Sequence, residues 1–250
     1  MTDYTKLDKL KQKLDSLRPL PAEVVNNLHE DLVLRWTYNS NAIEGNTLTL
    51  KETKVALEGI TVGGKTMREH FEAINHREAI YFVEELVKKN EPLSEWQIKS
   101  IHQLILQNID DKNAGVYRKS NVIISGTDHT PPDALHVADE MAKFIEWYKN
   151  LGLSIHPVER AARVHSDFVK IHPFSDGNGR TARLLMNLEL MKAGFPPVVL
   201  PVEKRLEYYT ALDTAHTKGD YQQFLSLITA VIEAGFNPYW YALGVKNDEV

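Results

Sequence analysis

The feature that most constrains the fold is a glycine-rich turn between two apolar segments with helical periodicity. It reads IHPFSDGNGRTAR over residues 171–183. Apolar side chains recur at helical spacing before it, over residues 158–171, and after it at Leu184, Leu185, Leu188 and Met191. Gly194 stands where the second helix would end. The pattern predicts a helix, a tight turn and a second helix whose first residues include the glycines.

The residue types in this turn suit a polyphosphate ligand. N–H groups at a helix N-terminus bind anions, and glycines allow the backbone to approach closely. Arg180 and Arg183 are three residues apart and therefore share one helix face. Asp176 offers the hard oxygen that Mg²⁺ prefers, and His172 can act as a base near neutral pH. Singly, each residue also fits an ordinary capped turn; together they predict phosphoryl or nucleotidyl transfer.

The run resembles the signature of the Fic family, HPFx[D/E]GNGRxxR, at every fixed position. The resemblance implies a mainly α-helical, Fic-type bundle with a small β-hairpin flap. It also implies that AMP moves from ATP to a Ser, Thr or Tyr hydroxyl of a target protein, with release of pyrophosphate. In that reaction His172 would be the general base and Asp176 the ligand of Mg²⁺ (or Mn²⁺). The positions that would bind ATP phosphates are Gly177, Asn178, Gly179, Arg180 and Arg183.

A second motif lies earlier, at Ser40, Glu44 and Gly45. By residue type, Gly45 predicts a helix C-cap and Glu44 a solvated charge, while Thr49-x-x-Glu52 predicts a capping box that opens the next helix. The segment also resembles the inhibitory motif [S/T]xxxE[G/N] of N-terminally autoinhibited Fic proteins. That resemblance implies a bidentate pair between Glu44 and Arg183 in the place of the γ-phosphate, which would turn the α-phosphate away from attack.

Two further stretches are expected at the nucleotide. Residues 121–126 form the one good hairpin candidate, and in the family a flap at this position covers the nucleotide and pairs with an extended target segment. The flap residues expected over the nucleotide are Val122, Ile123, Ile124 and Ser125. A Gly-Thr-Asp-His insert before Pro131 departs from the family pattern. Tyr208 and Tyr209, which also fit core aromatics, resemble an adenine-pocket pair, while His216 stands where close relatives have asparagine.

Two other patterns are interpreted as structural. Residues 59–66, GITVGGKT, fit the phosphate-loop pattern, but a charged segment with a helix cap precedes them where an apolar strand is required. We interpret them as a connection between helices. His165 lies seven residues before His172, too far along a helix for shared metal ligation, so a core or surface position is expected.

Composition and charge argue against several classes of protein. The 250 residues include 29 basic and 34 acidic side chains, a formal charge of −5 that does not favour nucleic acid. There is no cysteine, which excludes disulfides, thiolate nucleophiles and cysteine zinc sites. No run reaches the ~20 apolar residues of a membrane helix, and the charged N-terminus lacks the apolar core of a secretory signal. A soluble cytoplasmic protein is expected, without nucleic-acid or membrane partners.

The patterns divide the chain into three regions. Residues 1–90 are a helical region that carries the inhibitory motif, residues 91–235 are the catalytic core, and residues 236–250 are a C-terminal tail that frays over 246–250. Helices are expected over 4–17, 22–38, 67–89, 94–109, 137–148, 157–171, 205–216 and 221–234. The expected partners are a target protein at the flap and a second copy of the chain.

Three alternatives remain open. The same site could remove AMP from a modified protein, with Glu44 aligning a water molecule. Because some members of the family use other donors, a CDP-linked or UTP donor also fits. The third alternative is a non-catalytic interaction module gated by nucleotide, since an inhibited enzyme also looks inert.

Overall fold

The computed structural model describes residues 3–245, and within that range the chain is helical and contains no strand. The α-helices are α1 (Thr5–Ser16), α2 (Ala22–Ile43), α3 (Leu50–Leu57), α4 (Met67–Lys89), α5 (Glu95–Leu106), α6 (Val137–Asn150), α7 (Pro157–Ile171), α8 (Asn178–Lys192), α9 (Arg205–Lys218), α10 (Gln222–Gly235) and α11 (Asn237–Leu243). Short 3₁₀ helices lie at Ala134–His136, Gly152–Ser154 and Val202–Lys204. The predicted mainly α-helical fold is confirmed, and α2 extends five residues beyond its predicted end.

Capping residues explain where several helices begin. Thr49, Thr66 and Ser94 each accept a hydrogen bond from the backbone N–H three residues ahead, and the side chain there returns one. Such a capping box satisfies two N–H groups that the first turn of a helix leaves without partners. The boxes at Thr49 and Ser94 are as predicted, and α7 begins at its predicted proline, Pro157.

The end of α2 is a Schellman motif. Gly45, with φ 98°, donates its N–H to the carbonyl of Ala42 at 3.0 Å, and Asn46 donates to Asn41 at 3.1 Å. A residue in the left-handed region closes a helix in this way, and glycine adopts it without steric cost. The predicted C-cap is confirmed, and Glu44 becomes the last residue before the chain turns.

The helical pair α7–α8 lies between two apolar clusters. One cluster packs α1, α9, α10 and α11 against it, with Leu7, Met186 and Phe224 among the buried side chains. The other packs α4, α5 and α6 against it, with Ile80 and Ile101. Helix α8 is buried on every side, so the signature residues at its start are held in the centre of the molecule.

The prediction of a β-hairpin at the flap is wrong. Residues 121–132 contain no strand, although side chains 121–125 alternate between exposed and partly buried as in an extended segment. Residues 127–129, where a second strand would lie, are bound to α9 instead. Asp213 of α9 accepts from the hydroxyl of Thr127 and from the N–H groups of Asp128 (3.0 Å) and His129 (3.3 Å). Two prolines follow, and their missing N–H groups remove two donors from a returning strand.

The C-terminal stretch expected as a tail contains helix α11. Trp240 is buried there and stacks on Phe236, with ring centroids 5.7 Å apart. Pro238 in the first turn suits a helix start. The fraying predicted for residues 246–250 lies outside the described residues.

Residues 59–66 link α3 to α4, as predicted for a connection between helices. Helix α3 occupies the place where a phosphate loop needs a strand. Lys65 of this segment donates to the carbonyl of Thr47 at 2.6 Å and thereby ties the loop to the segment after α2. Over residues 3–245, no helix is both long and apolar enough to span a bilayer.

Candidate active site

The predicted helix–turn–helix is confirmed: α7 and α8 are joined by residues 172–177, called the signature turn below. His172 caps α7 in the left-handed region (φ 51°, ψ 57°), and Gly177 precedes α8 with φ 75°. A Cβ on Gly177 would lie 3.1 Å from Cγ2 of Ile105, so both conformation and space call for glycine. The first N–H groups of α8 therefore point out of a turn with a fixed shape.

Asn178 and His102 fix the shape of this turn. Asn178 accepts from the N–H of Phe174 at 3.0 Å and donates to its carbonyl at 2.8 Å, so both polar atoms of its side chain are used to close the turn. His102 of α5 stacks on Phe174, with ring centroids 3.5 Å apart. Its Nε2 donates to the carbonyl of Asp176 at 2.9 Å, and its Nδ1 accepts from Gly115 at 2.9 Å. With one ring nitrogen donating and the other accepting, His102 is held neutral.

His172 is partly buried and anchored through its backbone. Arg118 donates from Nε to the carbonyl of His172 at 2.8 Å and from its N–H to Pro173 at 2.9 Å. Burial lowers the pKa of His172 to about 4, and the charge of Arg118 acts in the same direction. The imidazole is therefore neutral at pH 7 and has a lone pair with which it can accept a proton.

A cavity of about 290 Å³ adjoins His172. Of the residues predicted for the site, its walls contain Glu44, Ile124, Ser125, His172, Gly179, Tyr208, Tyr209 and His216. Val122 and Ile123 do not line it, and the side chain of Ile123 is 94% exposed. The structure thus brings together the turn, the end of α2, the tyrosine pair and half of the predicted flap residues.

The tyrosine pair connects the cavity to its surroundings. Tyr208 is buried and its hydroxyl lies 3.0 Å from Nε2 of His165, which is a core residue. Tyr209 donates to the carbonyl of Ile43 at 3.1 Å, next to Glu44. His216 donates from Nε2 to a backbone carbonyl of α7 at 2.9 Å, and burial lowers its pKa to about 4. One of the two ring nitrogens of His216 is thus already hydrogen-bonded within the protein.

Arg183 is 2% exposed and meets the predicted partner, Glu44. Its Nη2 donates to Oε1 of Glu44 at 2.7 Å and to the carbonyl of Ser40 at 2.8 Å, while Nε donates to the hydroxyl of Ser40 at 3.0 Å. Burial works to lower the pKa of Arg183, but Glu44 and Tyr208 outweigh it and raise the pKa. The expected bidentate pair is wrong, because Ser40 uses the guanidinium edge that a second carboxylate oxygen would need.

The carboxylate of Glu44 lies against the first turn of α8. A Cβ added to Gly179 would collide with Oε1 of Glu44 and would lie 3.1 Å from Nη1 of Arg183. The missing side chain therefore creates a cradle, and a negative group already sits in it. This is the position in which a helix N-terminus holds an anion.

Asp176 is the candidate metal ligand, and both of its oxygens have partners. Oδ1 accepts from the N–H of Gly177 at 2.6 Å and from Nη2 of Arg180 at 3.2 Å. Oδ2 accepts from Nη2 of Arg68 at 2.5 Å. Burial works to raise the pKa of Asp176, but Arg180, Gly177 and Arg68 outweigh it and keep the pKa below its ordinary value.

The donor chemistry fits a magnesium ion that a substrate brings with it. The residues described place no three acidic or histidine side chains together as a metal cluster. Mg²⁺ is commonly held by one or two carboxylates together with substrate phosphates, and does not need such a cluster. Asp176 is ionised, its side chain is 44% exposed, and a guanidinium cation already stands at Oδ2. One carboxylate beside an anion cradle fits this mode of binding.

Glu72 of α4 links Arg180 to Asn46, in the segment after α2. Arg180 is 2% exposed, and its Nη1 lies 3.3 Å from Oε1 of Glu72. Oε2 of Glu72 accepts from the side chain of Asn46 at 2.9 Å. Arg180 and the segment after α2 thus share one carboxylate.

The site also contains residues outside the sequence predictions, among them Arg68, Glu72, His102 and Asp213. His102 could have been found as a polar residue on the apolar face of α5, which also carries Ile98, Ile101 and Ile105. The other three lie on helix surfaces, and nothing in their sequence neighbourhoods separates them from solvated charges.

The fold and the site define a helical protein with an anion cradle at the start of a buried helix, beside a neutral histidine. The comparisons agree. Residues 92–190 match the model of the Fic/DOC family. Fic-1 (residues 134–508) of Caenorhabditis elegans has a solved structure with a TM-score of 0.86 at 36% identity, covering 96% of this chain and 71% of that one. The chain belongs to the Fic family.

Curated relatives carry a more specific name. Protein adenylyltransferase fic-1 of C. elegans is 39% identical over 219 residues, covering 86% of this chain and 42% of that protein. Protein adenylyltransferase Fic of Nematostella vectensis is 38% identical over 242 residues, covering 95% and 56%. The chain thus spans about half the length of the curated relatives it matches.

Proposed function

We propose that this protein transfers AMP from ATP to a hydroxyl of a target protein. The observation that carries the proposal is one cavity lined by a neutral base, His172, by the first turn of α8 and by the tyrosine pair. Relatives named protein adenylyltransferases support the same reaction. ATP would place its phosphates along α8 and its base toward Tyr208 and His216.

The chemistry follows from the groups in place. His172 accepts the proton of a Ser, Thr or Tyr hydroxyl as that oxygen attacks the α-phosphorus. A bond forms between oxygen and phosphorus, the bond to the β-phosphate oxygen breaks, and pyrophosphate leaves. Backbone N–H groups of α8 and Arg180 offset the negative charge that develops. When bound at Asp176, Mg²⁺ supplies charge neutralisation for the β- and γ-phosphates.

We further propose that Glu44 inhibits this reaction. Its carboxylate bonds to Arg183 and lies in the cradle beside Gly179, where a terminal phosphate would otherwise be held. A bound nucleotide must then displace Glu44 or keep its terminal phosphate elsewhere, and in the second case the α-phosphate is misplaced for attack.

The target is proposed to bind at residues 121–126. Ile123 is 94% exposed and Leu135, beyond the loop, is 91% exposed. Ile124 and Ser125 of the same segment line the cavity, so a chain laid along it would reach His172. An extended segment with free backbone groups binds a peptide by strand addition without being a hairpin beforehand.

The test is transfer of radioactivity from α-³²P-ATP onto protein in the presence of Mg²⁺. Glu44→Gly is expected to label itself or a supplied target more strongly than the unmodified chain. Adding His172→Ala to Glu44→Gly should reduce labelling at least a hundredfold, in line with the ~10²–10⁴-fold contribution of a general base. Arg77→Ala in the same background is the control, because Arg77 pairs with Glu78 outside the site. Equal labelling with and without His172 would refute the proposal.

A further inference from the structure

Arg68 of α4 contacts Asp176, the candidate metal ligand in the signature turn. It lies in the first turn of α4, and its Nη2 donates to Oδ2 of Asp176 at 2.5 Å. Its Nε donates to Oε1 of Glu72 at 3.1 Å. One guanidinium therefore holds a carboxylate of its own helix with one nitrogen and the carboxylate of the signature turn with another.

The contact is not needed to form α4. The start of this helix is already fixed by the capping box between Thr66 and Glu69, and the first buried residue is His70. The side chain of Arg68 is 55% exposed, whereas that of Arg180, the other guanidinium on Asp176, is 2% exposed. Arg180 is thus part of the interior, while Arg68 is a surface side chain that can swing away.

The two oxygens of Asp176 are also held differently. Oδ1 is bound to the Gly177 N–H and to Arg180, both fixed parts of the turn. Oδ2 has Arg68 as its partner in the residues described. A metal ion approaching this carboxylate must therefore take the oxygen that Arg68 covers, and Arg68 must move.

We propose that Arg68 is an internal counter-cation of Asp176 that competes with the divalent ion for this carboxylate. The inference rests on the proposed function in one respect, that Asp176 is a metal ligand. When the ion is absent, Arg68 adds its positive charge to that of Arg180 beside Asp176. The phosphates of a nucleotide are then repelled less by this carboxylate. When the ion binds, Arg68 moves aside and keeps its bond to Glu72, so it is not left without a partner.

The competition can be measured as a ratio of nucleotide affinities. The probe is an ATP analogue with a methylene group between the α- and β-phosphorus atoms, which cannot release pyrophosphate. Its dissociation constant is measured by calorimetry in EDTA and again with saturating Mg²⁺. We call the first constant divided by the second the magnesium ratio. No turnover is involved.

Arg68→Ala is expected to raise the magnesium ratio about two- to fivefold. Binding in EDTA weakens because Asp176 loses one of its two arginine partners, and binding with Mg²⁺ strengthens because the ion no longer displaces a cation. The range equals about 0.4–1 kcal/mol at 1.4 kcal/mol per factor of ten, the size of a part-exposed ion pair. Arg68→Lys, which keeps the charge, should stay near the ratio of the unmodified chain.

Two controls separate this inference from its alternatives. Arg77→Ala removes an arginine from the same helix, away from the site, and should leave the ratio unchanged. Asp176→Asn should bring the ratio close to one whether or not Arg68 is present. Circular dichroism verifies that each variant is folded.

Three results would overturn the inference. If Arg68→Ala weakens binding equally in EDTA and in Mg²⁺, Arg68 is a phosphate ligand. If Arg68→Ala leaves the magnesium ratio unchanged while Asp176→Asn still brings it close to one, Arg68 does not compete with the ion. Asp176 would then remain a metal ligand. If Asp176→Asn has no effect in any background, the metal role of Asp176 fails, and the inference fails with the part of the proposed function on which it rests.

Discussion

At the scale of single residues, His172 combines a neutral ring with an unusual backbone. Its φ of 51° is in the left-handed region, which costs a residue with a Cβ on the order of 1 kcal/mol. The structure retains that conformation because Arg118 and the packed turn hold it. Strained residues of this kind cluster at functional sites, where the backbone aims a side chain.

The pH dependence of transfer should report the lowered pKa of His172. For Glu44→Gly, kcat/KM should stay level as pH falls from 7.5 to 5.5, because His172 is protonated only near pH 4. Rates are measured with α-³²P-ATP, and circular dichroism verifies folding at each pH. A loss of half the rate near pH 6.5, the ordinary histidine value, would contradict the burial argument.

At the scale of elements, helical periodicity, capping boxes and the glycine C-cap located most helices. The glycine-rich turn and the Glu44–Arg183 contact were also predictable from motifs. The flap was not, because the bonds that replace strand pairing come from Asp213, more than 80 residues further along the chain. Glu72 and Arg68 were missed for the same reason, since their partners Arg180 and Asp176 lie more than 100 residues further along the chain.

Comparing the unfolding free energies of two Gly→Ala variants tests how tightly the signature turn is packed against α5. Gly219→Ala, at φ 70° with no atom near its Cβ, should cost about 1 kcal/mol of unfolding free energy through backbone strain alone. Gly177→Ala, at φ 75°, should cost at least twice as much, because its Cβ also meets Ile105 at 3.1 Å and His102 at 3.3 Å. Urea denaturation measures both. Equal losses would show that α5 does not restrict the turn.

At the scale of the whole molecule, several histidines are buried in the neutral form, both in the core and beneath the signature turn. His76 and His165 are fully buried, and burial lowers the pKa of each well below its ordinary value. His102 beneath the signature turn has its pKa lowered to about 4 by burial. The unfolded chain therefore binds more protons than the folded one between about pH 4 and 6.5.

Stability should consequently fall as the solution is acidified. Because folded-state pKa values are depressed, the contribution of these histidines is complete above pH 6.5 and is lost as pH falls toward 4. Each adds a slope of up to about 1.4 kcal/mol per pH unit in that window. Urea denaturation at pH 7.5, 6.5 and 5.5 measures the slope. His76→Leu should reduce it and His136→Asn, at an exposed position, should not. A free energy that is constant from pH 7.5 to 5.5 would contradict this expectation.

The measurement that tests the central claim most directly is the intact mass of the Glu44→Gly chain after incubation with Mg²⁺ and an equal mixture of ATP, GTP, CTP and UTP. We expect a gain of one or more AMP groups, little gain in the unmodified chain, and none when His172→Ala is added. A gain of a different nucleotide, or the same gain with Glu44 in place, would contradict it.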